Sequence, residues 1–260
     1  MQLYSWNVNG FRSLLNNGSW DWFSRVRADV VGLQEVKAEA AQIPEDSRQP
    51  EGYHAAWFSA AKKKGYSGVA TFSRIQPLAV NFDLPDPAFQ GEGRLIHLEL
   101  PAFHFFNVYF PNGQMNEDRL AYKLGYYDAF LRHAQELRKH KPIVVCGDFN
   151  TAHRPLDLAR PKENEATSGF LPIERDWLDK FTAAGYVDTF RKVHGDVPGM
   201  YSWWSFRARA RERNVGWRID YFFVSEELAP AVRNAWIEPE VMGSDHCPVG
   251  LELDVEGQAS

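Results

Sequence analysis

The chain has 260 residues, 44% of them hydrophobic and 14% aromatic, enough to build a large core and too many for a disordered chain. Its formal charge is −5 and its apolar runs are too short to span a bilayer, so neither a generally basic DNA-coating protein nor a membrane protein is expected. Two cysteines, Cys146 and Cys247, are too few for a disulfide framework.

Leu3 to Val8 is rich in β-forming residues and breaks at Asn9-Gly10, which predicts a strand and a turn. The first residues lack the charged-then-apolar order of a signal peptide, so a cytoplasmic protein is expected, nucleoid-associated if prokaryotic. Trp20 to Arg27 fits a helix with Ser19 as its N-cap, and Val30 to Val36 a buried strand with Gln34 and Glu35 at its polar end. Residues 43–50 are acidic, contain proline and read as a loop. Tyr53–Phe58, Gly68–Phe72, Leu78–Leu84, Arg94–Leu100 and Phe103–Phe110 are strands separated by turn residues, a spacing that suggests a β-meander. Between the first two lie Lys62-Lys63-Lys64 and Gly65-Tyr66, a local basic patch that could meet phosphates.

Leu120, Leu124, Tyr127, Leu131 and Leu137 recur near a 3.6-residue period, predicting a helix over Asn116–His140. The next strand begins at Ile143 and stops abruptly at Gly147. Asp148 and Asn150 follow two apart, and in an extended chain they would face one spot. His153–Pro172 reads as a polar loop and Ile173–Ala184 as a helix ended by Gly185. Tyr201–Phe206 is β-like, and Arg218–Val224, Val232–Ile237 and Val249–Asp254 complete the strands. Many strands with a few helices imply an α+β sandwich, two packed sheets flanked by helices, in one domain over 1–260.

Polar residues gather at the predicted strand ends: Asn7 and Asn9, Glu35, Tyr109 and Asn112, Asp148 and Asn150, Asp220, and Asp245-His246. Such an oxygen-rich set suits Mg²⁺ or Mn²⁺ rather than Zn²⁺, which prefers His and Cys. The Asp-His pair supplies a base near neutrality if a further carboxylate orients the ring, and Asp220 is the candidate. These parts point to metal-assisted hydrolysis of a phosphate ester. Arg207, Arg209, Arg211, Arg213 and Arg218, against the single acid Glu212, add a local positive segment.

Trp-Asn-Val-Asn-Gly (6–10), Leu-Gln-Glu (33–35), Gly-Tyr-Ser-Gly-Val (65–69), Tyr-Phe-Pro-Asn-Gly (109–113), Gly-Asp-Phe-Asn (147–150), Asn-Val-Gly-Trp-Arg-Ile-Asp-Tyr (214–221) and Gly-Ser-Asp-His-Cys-Pro (243–248) resemble, in this order, the exonuclease III family of AP endonucleases. That family belongs to the endonuclease/exonuclease/phosphatase superfamily. The resemblance implies a four-layered α/β sandwich and a monomer that acts on duplex DNA with abasic or otherwise damaged sites, using one or two Mg²⁺ ions, with Mn²⁺ able to substitute. It implies a metal set drawn from Glu35, Asn7, Asn9 and Asp245, with Asp148 and Asn150 holding any second ion. It also implies Tyr109, Asp148, Asn150, Asp220 and His246 as catalytic residues, and Lys63, Tyr66, Asn112, Asn164 and Arg207 as DNA contacts. Trp203, Trp217 and Ile219 would form the pocket for a flipped-out abasic sugar. Two positions depart from the family pattern: Asn9 stands where some members carry Asp, and Thr167 where Asn is common. Incision at deaminated or oxidised bases such as uracil is the alternative activity, and phosphodiesterase action on a lipid or inositol headgroup a more distant one. A catalytically dead DNA-binding or scaffold module would have lost members of the acid–His set, and none is lost.

Overall fold

The computed structural model describes residues 1–61 and 63–255; Lys62 of the lysine run lies outside them. The strands are β1 (Gln2–Asn7), β2 (Val30–Gln34), β3 (His54–Phe58), β4 (Val69–Ser73), β5 (Ala79–Phe82), β6 (Leu95–Glu99), β7 (His104–Tyr109), β8 (Ile143–Asp148), β9 (Tyr186–Asp188), β10 (Asp220–Ser225), β11 (Val232–Ile237) and β12 (Val249–Leu253). The helices are α1 (Phe11–Asn16), α2 (Asp21–Val26), α3 (Glu45–Arg48), α4 (Glu117–Arg138), α5 (Pro161–Asn164), α6 (Pro172–Ala183) and α7 (Thr189–His194).

Two six-stranded sheets run β11-β12-β1-β2-β4-β3 and β5-β6-β7-β8-β10-β9. Each has one parallel pair at its centre, β1 with β2 and β7 with β8, and antiparallel neighbours elsewhere. The inner faces pack through Leu3, Val30, Phe105, Val144, Phe222 and Leu251. Trp6, Phe11, Trp22, Phe23 and Phe72 fill the layer between the first sheet and α1–α2, while Phe106, Tyr127, Phe130, Trp177 and Phe181 fill that between the second sheet and α4–α6. The central strands are therefore covered on both faces, which is why β2 and β8 read as continuous apolar runs. The predicted four layers are present.

Two glycines make this arrangement fit. A Cβ on Gly32 would meet the Asn107 side chain at 2.9 Å and Cys146 Sγ at 3.0 Å, so a residue without a side chain is needed where the two sheets face each other here. Into that gap Asn107 donates to Leu33 O, Ala70 O and Thr71 Oγ1, and accepts from Gln34 Nε2. Gly147 has φ +139°, and a Cβ there would fall 1.8 Å from Val108 O. The strand does not stop there as its sequence suggests: β8 runs on through Asp148, with Gly147 opposite Val108 and Tyr221, and the glycine is what lets β7 lie so close.

Several elements differ from expectation. The meander is split: β3–β4 belong to the first sheet and β5–β6–β7 to the second. Both edges of β4 are taken, by β2 and β3, so the chain must cross over to pair again. Residues 43–50 contain the single turn α3, and the loop after His153 contains α5. Ser19 does not cap; α2 starts after Trp20 without a side-chain cap. Tyr201–Phe206 forms no ladder, only single bridges from Trp203 to Trp217 and to His246. α1, β9 and α7 are too short to leave a periodic signal in the sequence.

A buried ion cluster fixes the segment before β10. Asp157 accepts from Arg218 Nε (2.8 Å) and from Arg191, and Arg218 also donates to Asp188 (2.8 Å). Burial would raise the Asp157 carboxyl, but the two guanidiniums hold it at about 2, below its ordinary 3.8. A depressed carboxylate contributes stability that is present above its unfolded pKa and lost as pH falls through the folded one. The structure predicts that Asp157→Asn removes the part of acid destabilisation falling between those two values. It should also cost about 3–5 kcal/mol near neutrality, because it uncovers buried arginines. Urea unfolding at a series of pH values measures both, and an unchanged acid slope in the variant would contradict the assignment.

Candidate active site

Parallel pairing puts the C-terminal ends of neighbouring strands side by side. Asn7 lies opposite Gln34, just before Glu35, and Tyr109 lies opposite Asp148. The antiparallel β10 brings Asp220 in register with Asp148 from the other direction. The segment before β12 adds Asp245 and His246, held by the bond from Trp6 Nε1 to His246 O (3.2 Å) and by that from Trp204 N to Asp245 O (2.9 Å). Five strands from both sheets thus deliver their polar ends to one rim.

The centre is compact. One ligand atom from each of Glu35, Asp148 and His246 lies within 4.8 Å of the others. Asn7 Nδ2 bridges Glu35 Oε1 (3.0 Å) and Asp148 Oδ2 (2.9 Å). His246 Nδ1 is 2.8 Å from Asp220 Oδ2, and its Nε2 is 4.0 Å from Asp148 Oδ2. Ser202 Oγ donates to the same Asp220 oxygen (2.7 Å) while Asp220 Oδ1 is buried without a partner. Burial opposes charge on His246, yet Asp220 first, then Asp148 and Asp245, raise it to about 10. Burial and the nearby Asp220 carboxylate raise Asp148 to about 7. Glu35 is also penalised by burial, but Lys37 and the Asn7 bond bring it below the usual range. Burial, then the Glu35 charge, pushes the Tyr109 hydroxyl well above its ordinary value, so it stays a protonated donor. One buried acid near neutrality beside one fixed cation is an arrangement suited to proton transfer and to stabilising an anionic phosphate.

The expected ligand residues are all at this rim, but not all are equally free. Asn9 donates to Asp245 Oδ1 (2.8 Å) and accepts from Lys37, whose ammonium also lies 2.7 Å from Glu35 Oε2. Asp245 is further held by Trp203 Nε1 (3.0 Å). Asn150 does not project beside Asp148 as an extended residue would. It has φ +52°, its backbone N–H closes a turn onto Asp148 Oδ1 (2.7 Å), and its amide bonds Phe110 O and Asn112. Asn9, Glu35 and Lys37 likewise sit at φ between +43° and +51°. Left-handed backbone at non-glycine residues costs roughly 1–3 kcal/mol each and collects where a site demands it. The donor set, three carboxylates (Glu35, Asp148, Asp245) and three amides (Asn7, Asn9, Asn150) with the His246 imidazole, fits a hard divalent cation. Lys37 already supplies one positive charge at the Glu35 end.

From this centre one cleft of about 770 Å³ extends over Trp203, Trp217 and Ile219, and Asn112, Asn164, Thr167 and Arg207 also line it. Leu158 and Phe170 back the apolar wall, and the Trp203 and Trp217 rings meet edge-on at 6.2 Å. Lys63 and Tyr66 are not in this cleft; they line a shallower groove of about 350 Å³ with Glu92, Arg119 and Tyr122. Ser202, Lys37 and Arg160 were missed from sequence, and Arg213 was read there only as part of a positive segment. Of the three missed, Lys37, two places past Glu35, carried the one usable signal.

The model of the endonuclease/exonuclease/phosphatase family matches residues 4–246. An exodeoxyribonuclease of Bacillus subtilis is 44% identical over 258 residues, covering 98% of this chain and 100% of that protein. The DNA repair nuclease APEX1 of Danio rerio is 38% identical, covering 98% of this chain and 83% of that one. Among solved structures, an AP endonuclease from Archaeoglobus fulgidus superposes with a TM-score of 0.88 at 28% identity, over 98% of this chain and 100% of that one. With its strand-end acids, its His–Asp pair and its two-sheet frame, the chain belongs to the endonuclease/exonuclease/phosphatase family.

Proposed function

We propose that this protein is a DNA-repair nuclease that cuts the phosphodiester on the 5′ side of an abasic site, leaves a 3′-hydroxyl, and also trims 3′ ends as an exonuclease and 3′-phosphodiesterase. The observation that carries this is the continuity of one cleft from the Glu35–Asp148–His246 centre to the Trp203–Trp217–Ile219 wall. A sugar without its base is small and has an apolar face, so a close aromatic wall accepts it and excludes an intact nucleotide. The names of the relatives, exodeoxyribonuclease and DNA repair nuclease, support the same reading.

In this scheme Mg²⁺, or Mn²⁺ in its place, would be held by Glu35 with Asn7, Asn9 and Asp245 around it, and Asp148 with Asn150 would take any second ion. The ion would neutralise a phosphoryl oxygen and steady the leaving oxyanion. Asn150 and the Tyr109 hydroxyl would hold the scissile phosphate, and Asn112 would hold the backbone beside it. His246, charged and oriented by Asp220, would oppose the phosphate's negative charge. Asp148 would exchange a proton with the attacking water or the leaving oxygen, a role that its pKa of about 7 suits. A cytoplasmic location agrees with the described residues, where no helix is long and apolar enough to cross a membrane.

A second reading rests on Arg160, Arg207 and Arg213, which line the cleft and could bond a damaged base as well as phosphate. The test is a labelled duplex carrying one abasic analogue, beside uracil-containing and intact duplexes, with Mg²⁺ or EDTA. Metal-dependent incision only 5′ to the analogue is expected. Equal cutting at uracil would move the assignment to base lesions, and no cutting of any duplex by folded protein would remove it.

A further inference from the structure

Arg94, just before β6, is 1% exposed and lies in neither the metal centre nor the sugar pocket. Its guanidinium donates to Glu92 Oε2 (2.6 Å), to Tyr109 O (3.2 Å) and to Tyr66 Oη (2.7 Å). The same plane lies 4.9 Å from the centre of the Tyr109 ring and 5.5 Å from that of Tyr66. The backbone repeats the link, with Tyr109 N donating to Arg94 O (2.8 Å). One buried cation therefore contacts two phenols, one in the catalytic cleft and one in the neighbouring groove.

The bonds around Tyr66 fix what its hydroxyl can do. It accepts from Arg94 and, at 3.4 Å, from Arg119, while Arg119 and Arg94 share the Glu92 carboxylate. A phenol hydroxyl has one proton to donate and an oxygen that accepts. With Arg94 and, at longer range, Arg119 donating to it and no acceptor for its proton among the described residues, the hydroxyl keeps a proton to donate, and Tyr66 lines the groove. Lys63 Nζ lies 4.8 Å from the centre of the same ring. A donor O–H with two cations beside it suits an anionic oxygen, which on this surface means a phosphate of the DNA backbone away from the scissile one.

We propose that Arg94 is a positioning residue for the reaction, locking the phosphate-binding Tyr109 to the groove hydroxyl of Tyr66 so that two backbone phosphates are gripped as one unit. The inference rests on the proposed DNA substrate. Lysine cannot replace the arginine, since an ammonium lacks the planar fork that serves three acceptors and two ring faces at once. Contact area alone does not explain the residue, because burying a charge is costly compared with burying an apolar side chain.

The test compares incision of an abasic-analogue duplex by the unaltered protein, Arg94→Lys, Arg119→Gln, Tyr66→Phe and the Arg94→Lys/Tyr66→Phe double variant, with folding checked by circular dichroism. Tyr66→Phe should raise KM about tenfold, the loss of one hydrogen bond to a charged oxygen, and leave the salt dependence of DNA binding nearly unchanged because the phenol is neutral. Arg94→Lys should raise KM by a similar factor and also lower kcat about tenfold, because Tyr109 shifts as well. In the double variant KM should rise no further than in Arg94→Lys alone, since both act through one hydroxyl. Arg119→Gln, partly exposed and better tolerated, should reproduce part of the KM effect and lose it in a Tyr66→Phe background. Multiplicative KM effects, a wild-type KM in Tyr66→Phe, or wild-type kinetics in Arg94→Lys would each overturn the proposal. Should Arg94→Lys fail to fold, Glu92→Gln, which loosens the same guanidinium, replaces it: a raised KM with a lowered kcat is expected, and wild-type kinetics would overturn the proposal. Failure of the unaltered protein to cut would instead remove the substrate assignment, and the inference with it.

Discussion

Asp220→Asn should lower the single-turnover incision rate about 10³-fold at neutral pH while leaving the Kd for abasic duplex nearly unchanged. Asp220 does not face the cleft, whereas His246 does, so the carboxylate acts through the ring. It sets the orientation at Nδ1 and is the first of the groups that raise His246 to about 10. An amide keeps the shape, but it is a neutral acceptor and cannot support the imidazolium. The pH dependence carries the sign. Below the ordinary histidine value the ring is charged with or without Asp220. Between that value and about 10 it is charged only in the unaltered protein. The loss in Asp220→Asn should therefore be greatest from neutral pH upward and shrink on acidification toward about pH 6. Stability follows the same rule: the His246–Asp220 pair contributes below the unfolded value, and the contribution disappears as pH rises through about 10. A variant incising within tenfold of wild type at neutral pH, or one with a flat ratio across pH, would refute this role.

Glu35→Gln should abolish the response of the folded protein to Mg²⁺ and reduce incision by roughly three orders of magnitude. The melting temperature separates binding from chemistry. A ligand at a hundred times its Kd stabilises by roughly 2.7 kcal/mol, so the unaltered protein should melt several degrees higher in Mg²⁺ than in EDTA. In Glu35→Gln the two curves should coincide. Lys37 gives this variant a further diagnostic value. Its ammonium pairs with Glu35 at 2.7 Å and with the Asn9 amide, so an arriving cation must share the carboxylate with a charge already present. Loss of the carboxylate leaves Lys37 against Asn9 with its charge no longer paired, where it should repel Mg²⁺. A retained Mg²⁺ shift in Glu35→Gln would place the ion with Asp148 and Asn150 instead.

Residue type and order alone determined a good deal about this protein. Apolar runs at β2 and β8 announced strands covered on both faces, and the long period over α4 announced its helix. The polar groups at the predicted strand ends, from Asn7 and Glu35 through Asp148 and Asp220 to Asp245-His246, together pointed to a phosphoesterase, because such acids, amides and imidazoles have few other uses together. Tertiary structure decided what local pattern cannot encode. The split of the meander depended on which edges of β4 were already paired. The orientation of Asn150 followed from a left-handed backbone rather than the alternation of an extended chain. Lys37 at Glu35, Ser202 at Asp220, and Arg94 between Tyr66 and Tyr109 depend on turns and long-range packing. A strand's period states which face a residue takes, but its neighbour across the fold is chosen by how the two sheets close on each other.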